Sequence, residues 1–259
     1  MLFRSVLEPT VVVRGAVPDG IVAYAREKLV LALRMSRAPV LAAELRIDRH
    51  ADPARAGAVH VEMTLDLDGI VVRARASAPE PSAAVDDAVD RLERRIETVM
   101  HRDQDRMLRH RDTRSWHHED RVVPRRRGFP RPADERELVR RKSFAVQAES
   151  IEDALFDLER LDHDFFLFEH DVTGGDAVVF RAGDGRYGLI LTRPAPEAVA
   201  AVGIELIGGP TPAELPVDEA RALLDASGAP FVFFTDPDTA RGGVVYRRDD
   251  GHDGLVIPG

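Results

Sequence analysis

The feature that most limits how this chain can fold is an internal repeat. Residues 151–190 (IEDALFDLERLDHDFFLFEHDVTGGDAVVFRAGDGRYGLI) recur without a gap as residues 217–256 (VDEARALLDASGAPFVFFTDPDTARGGVVYRRDDGHDGLV), 66 positions later. Twelve of the forty positions are identical, among them Phe165/Phe231, Phe168/Phe234, Val179/Val245 and Gly188/Gly254. Such a repeat makes each copy one supersecondary unit that cannot bury its apolar face alone. Two copies are too few for a solenoid, so the pattern predicts a pair that packs on itself.

Each copy reads as β-α-β-β-β. Ser150 is the candidate N-cap of the first helix, with Glu152 and Asp153 in its first turn. Ile151, Leu155, Leu158 and Leu161 form that helix's apolar stripe. The strand that follows, Phe165 to Phe168, has no polar alternation, and such a strand is covered on both faces. One cover is the copy's own helix. The other has to come from another chain or from the second copy. The pairing face is expected to draw on Phe165, Phe166, Phe168 and Val179 in the first copy, and on Phe231, Phe233, Phe234 and Val245 in the second. Residues 140–147 are expected to lead into the first copy's sheet. Residues 204–207, in a Pro-rich connector, are expected to give the second copy its first strand. The second copy has drifted: Asp164 becomes Pro230, Tyr187 becomes Asp253, and Ser227-Gly228 reads as shortening its helix.

The segment Gly183-Asp-Gly185-Arg-Tyr-Gly188 matches G-x-G-x-x-G. A dinucleotide loop needs a strand before it and a helix after it. Here strands flank both sides, and a hairpin turn accounts for the Asp-Gly that both copies keep. Asp236, Asp238, Asp249, Asp250 and Asp253 lack the spacing and closing Glu of a calcium loop and read as turn acids. The chain has no cysteine, which excludes thiolate nucleophiles, disulfides and cysteine zinc sites. No nucleophile stands beside a base, so no enzyme activity, cofactor or metal is expected.

The first hundred residues form a different pattern. Thr10 to Gly15 reads as a strand, and Pro18 to about Ser36 as a helix with Ile21, Ala25, Leu29 and Ala32 on one stripe. Residues 40–49, 59–67 and 70–77 alternate apolar and polar, with Asp68-Gly69 as a two-residue hairpin turn. A long helix from Ser82 carries Val85, Val89, Leu92, Ile96 and Val99 at helical spacing. The order β-α-β-β-β-α predicts two helices on one face of a four-stranded sheet, in an α+β protein. Arg91, Arg94, Arg95 and Arg102 lie off the buried stripe. They read either as a solvated face or as a patch for phosphates.

Charge is distributed in blocks. Residues 1–100 carry a net charge of −1, residues 101–142 carry +6, and residues 143–259 carry −14. An acidic half avoids phosphate, so any nucleic-acid contact belongs to the first part of the chain. Between them, residues 104–137 lose periodicity and gain Pro and Arg, and read as a basic tether. A sharper reading makes this tether an arm along RNA, with Trp116 or Phe129 stacked on a base. No run of 18 apolar residues is present, so no membrane span is expected. The opening MLFRSVLEPTVVVRG lacks the regions of a signal peptide, and a cytoplasmic address is expected.

The element order, the arginine-bearing helices and the segment AVDDAVDRLERRIE resemble the N-terminal domain of the ribosome hibernation promoting factor family. The stretch from RKSFAVQ through HDFFLF, VVFR and DGRYGL resembles the C-terminal domain of that family's long forms. A second copy of it resembles an actinobacterial variant linked to hypoxia and dormancy. The resemblance implies a domain at 1–103, a linker at 104–137 and repeat domains at 138–192 and 193–259. It also implies a cytoplasmic, non-enzymatic factor whose partners are the 70S ribosome, the 30S subunit and 16S rRNA. Lys28, Arg34, Arg37, Arg91, Arg94, Arg95 and Arg102 are the rRNA-binding residues it implies. In the family's long forms the C-terminal domain dimerises and joins two ribosomes into a 100S particle. With two copies in one chain, pairing is expected within the chain, leaving single idle 70S ribosomes; the alternatives are pairing in trans to give 100S particles, or a stress-linked RNA chaperone or interaction protein.

Overall fold

A computed structural model describes residues 8–49, 59–108, 131–144, 148–182, 186–201, 206–248 and 250–258. Backbone contacts divide the chain into two compact units. One comprises residues 1–115 with 159–162, and the other residues 116–158 with 163–259.

The first unit is built as the periodicity predicts. Strands β1 (Thr10–Arg14), β2 (Val40–Arg49), β3 (Val59–Leu67) and β4 (Ile70–Ala78) form one sheet in the order β1-β2-β3-β4. β1 and β2 are parallel, and the other neighbours are antiparallel. In β3 every second residue (Val59, Val61, Met63, Leu65 and Leu67) is buried, and the residues between are half-buried. The Asp68-Gly69 turn has positive φ at both positions (53° and 89°), the backbone a two-residue hairpin needs. Helices α1 (Asp19–Leu33) and α2 (Pro81–Leu108) cover the apolar face. Ala25, Leu29, Val85, Leu92 and Ile96 are almost fully removed from solvent there.

The first copy forms β6 (Ala148–Glu149), α3 (Ile151–Arg160, whose last two residues belong to the first unit), β7 (Phe165–His170), β8 (Asp176–Arg181) and β9 (Tyr187–Leu191). After α4 (Pro196–Ala201) and β10 (Leu206–Gly208), the second copy contributes α5 (Val217–Ser227), β11 (Phe231–Thr235), β12 (Gly242–Arg247) and β13 (Asp253–Pro258). The helices start and stop for local reasons. Ser150 Oγ accepts the Asp153 N–H at 3.1 Å, which caps α3. The C-terminal turns of the two helices place Asp162 (φ 54°) and its counterpart Gly228 (φ 61°) in the left-handed region. Ser227-Gly228 does not shorten the second helix: α5 has 11 residues and α3 has 10. Glycine ends a helix at its natural length here rather than cutting it short.

Strand membership departs from the sequence reading. β5 (Leu138–Phe144) precedes the first copy yet pairs in parallel with β13 of the second. β10 precedes the second copy yet pairs in parallel with β9 of the first. The sheets run β10-β9-β8-β7-β6 and β11-β12-β13-β5. Each copy's sheet is thus completed by the strand that precedes the other copy. The two free edges, β9 and β13, come from the same repeated segment, so local pattern does not say which strand takes which edge.

Candidate functional site

The basic side chains of the first unit fall into two groups. Lys28 lies 3.2 Å from Asp86 of α2 and 5.2 Å from the centre of the Tyr24 ring, and Tyr24 donates to the same carboxylate at 2.7 Å. Hydrogen bonds with Tyr24 and then Asp86 push the Lys28 ammonium above its ordinary pKa, so its charge is secure. Arg34, Arg37 and Arg94 are exposed. Arg91 donates to the Arg75 carbonyl at 2.7 Å. Arg95 is committed elsewhere: its guanidinium meets the fully buried Asp162 at 2.6 Å and donates to the Glu159 carbonyl at 2.8 Å. Its side chain is only 12% exposed, which leaves little for a phosphate. The side chain of Arg102 and the tether residues Trp116 and Phe129 lie outside the described residues. Arg26, which the sequence reading did not single out, lines the outer face of α1 at four-residue spacing with Val22, Val30 and Arg34, beside the acidic Asp19 and Glu27.

The second unit holds a seam between the copies. Period-two alternation sends Phe165 and Leu167 of β7 to one side and Phe166 and Phe168 to the other. Leu167, Val178, Phe233 and Val244 form one buried cluster, and Phe165, Phe180, Ile190, Phe231, Tyr246 and Val256 pack against it. Both copies contribute to it. Phe168 and Val179 lie instead in the first copy's own core with Leu155 and Leu158, and Phe166 packs there. Phe234 and Val245 lie in the second copy's core with Leu224. Of the expected pairing residues, Phe165, Phe231 and Phe233 therefore face the seam, while Phe166, Phe168, Val179, Phe234 and Val245 face the helices. Leu167, Val178 and Val244 take their place, because adjacent residues of one strand cannot share a face.

The seam has near-twofold character. Phe165 and Phe231, counterparts in the repeat, meet at 5.2 Å between ring centres. Phe165 meets Tyr246 at 5.3 Å, and the equivalent pair, Phe231 and Phe180, meets at 5.4 Å. Each copy also keeps a glycine for a ring. A Cβ on Gly188 would lie 2.0 Å from the Phe180 ring, and one on Gly254 would lie 2.4 Å from the Tyr246 ring. These residues are cross-strand partners in both copies.

A charged network joins the second copy to Arg136, which precedes the first. Asp253, fully buried, pairs with Arg247 at 2.8 Å and Arg221 at 3.2 Å. It is the counterpart of Tyr187 and a buried ion-pair partner, not a turn acid. Asp225 pairs with both Arg136 and Arg247. Burial works against the Asp225 carboxylate, but hydrogen bonds from Arg247 and Arg136 outweigh it and hold its pKa below the ordinary range. Asp236 and Asp250 do act as turn acids, accepting the N–H of Asp238 and of His252. Among the described residues, no group of three or more acidic or histidine side chains is placed to hold a metal ion. No helix among them is long and apolar enough to cross a membrane.

Comparison with known proteins matches both parts. Residues 12–104 match the family described as sigma 54 modulation protein/S30EA ribosomal protein. Residues 133–189 and 211–255 each match that family's C-terminal part. A Deinococcus radiodurans protein named ribosome hibernation promotion factor is 31% identical over 148 residues, covering 50% of this chain and 70% of its own length. A Mycobacterium tuberculosis protein named dormancy associated translation inhibitor is 37% identical over 147 residues, covering 52% of each. The chain thus spans about half the length of that mycobacterial relative. The N-terminal domain of Thermus thermophilus Protein Y aligns over 36% of this chain and 99% of its own, at 23% identity and a TM-score of 0.31.

Proposed function

Since the chain belongs to the sigma 54 modulation/S30EA ribosomal protein family, we propose that it is a ribosome hibernation factor that represses translation under stress. The first unit binds the decoding region of the 30S subunit and keeps mRNA and tRNA out by occupying their path. It acts by filling space, without catalysis, in the cytoplasm where ribosomes are. Lys28, Arg34, Arg37, Arg91 and Arg94 hold phosphates of 16S rRNA, joined by Arg26 on the outer face of α1. Arg95 is left out of that set because its side chain is nearly buried against Asp162. The second unit sets the form of the idle ribosome. Its copies pair within one chain, so the factor stabilises single 70S particles.

The observation that carries this outcome is the buried cluster drawn from both copies, Leu167 and Val178 with Phe233 and Val244. An apolar face covered from its own chain has nothing left to offer a second ribosome's factor. The alternative, pairing between two chains to give 100S particles, uses the same residues and is separated by experiment. For rRNA binding the test is the double variant Arg34→Glu/Arg94→Glu, assayed by co-sedimentation with 70S ribosomes across a salt series. We expect binding to be lost at moderate salt. Where residual binding is measurable, the salt slope should be shallower by about one unit per lost phosphate contact. Unchanged co-sedimentation would overturn the assignment of these residues.

A further inference from the structure

We propose that the two copies have become unlike partners: the first is fitted to pair with the second and is barred from pairing with another first copy. The device is one carboxylate, Asp176, set against Gly242 and Arg241 where the seam crosses its near-twofold axis. The inference takes from the proposed function only that the copies pair.

In an isologous contact, if residue i meets residue j then j meets i, and residues on the axis meet their own counterparts. Phe165 with Phe231, and the matched pairs Phe165–Tyr246 and Phe180–Phe231, obey that rule. The seam therefore keeps the layout of a self-pairing surface. Asp176 and Gly242 are also counterparts that meet, yet they are different residues. Asp176 Oδ2 accepts the Gly242 N–H at 2.6 Å, across a separation of 66 positions. The same carboxylate accepts Arg241 Nε at 2.9 Å and Nη2 at 2.8 Å. Arg241 also reaches Glu169 at 3.4 Å. Its counterpart in the first copy is Gly175, which has no charge to offer.

Two first copies in this arrangement would bring Asp176 against Asp176. Asp176 is 4% exposed, so two carboxylates would be buried together with no counterpart of Arg241 from either side. They would also collide, because even a bare Cβ at position 242 would lie 2.7 Å from the Asp176 Cβ. Two second copies would present two Arg241 side chains and no Asp176. Only the mixed pair satisfies charge and space together. The second copy has a further reason to keep glycine: the Phe233 ring lies 2.7 Å from the same Cβ position, whereas the first copy has the smaller Leu167 at the equivalent place. Rejection of a wrong partner by an unpaired buried charge and a clash is a general route to specificity.

The test is done on the full chain by giving the second copy the first copy's seam, Phe233→Leu/Arg241→Gly/Gly242→Asp. Calorimetry is expected to show the unfolding midpoint of the second unit falling by several degrees. Adding Gly175→Arg/Asp176→Gly, which rebuilds the mixed pair with the roles of the copies exchanged, is expected to recover part of the loss. No fall in the triple variant, or no recovery on adding Gly175→Arg/Asp176→Gly, would overturn the proposal. The ribosome profile is a separate readout. Abundant 100S particles would defeat the within-chain reading yet leave this inference standing, since two chains can still exchange a first copy for a second.

Discussion

At the scale of single residues, the repeat keeps some positions for reasons that lie across a strand. Gly188 and Gly254 stand three residues after the Asp-Gly of each hairpin, and the sequence places them with the turn. The structure places each under an aromatic ring, Phe180 or Tyr246. Gly188→Ala is therefore expected to cost about 1–3 kcal/mol through overpacking. The check is a lower denaturant midpoint at an unchanged m-value, which marks lost stability rather than a changed unfolded state. A midpoint equal to that of the parent would mean the ring moves aside freely. A turn glycine and a packing glycine look the same in one sequence. Asp253 shows a similar limit. It reads as a turn acid because of its neighbours, and only the fold brings Arg221 and Arg247 to it.

At the scale of elements, periodicity told the strands and helices apart but not the partners of the edge strands. The stripes of α1 and α2 and the alternation of β3 were legible because each states which face is buried. In β7 and β11 the absence of polar alternation implies two covers. It could not say which aromatic faced which cover, and register decided that. The exchange of β5 and β10 left no trace in the pattern, because two edges from one repeated segment offer similar pairing. That exchange has a measurable consequence. Leu138 of β5 packs against the second copy's core, around Leu224 and Phe234. Leu138→Ala is expected to raise hydrogen exchange in β13, residues 253–258, and leave β9, residues 187–191, protected. Faster exchange in β9 alone would contradict the strand pairing.

At the scale of the whole molecule, charge and apolar surface are divided between the two units. The first unit carries the basic helices, and the second carries an acidic pair of repeats with an apolar seam. The sequence made the family legible through the arginine-bearing second helix and the repeated strand motifs, and the match over residues 12–104 agrees with that reading. It did not separate exposed arginines from nearly buried ones: Arg94 is exposed, and Arg95 is held by Asp162, 67 positions away in the chain. The central claim is that a hibernation factor with both pairing partners in one chain leaves ribosomes single. The most direct measurement is a sucrose gradient of purified 70S ribosomes with saturating full-length protein. The account predicts a 70S peak carrying the protein, with no growth at 100S. A 100S peak that rises with added protein would contradict it.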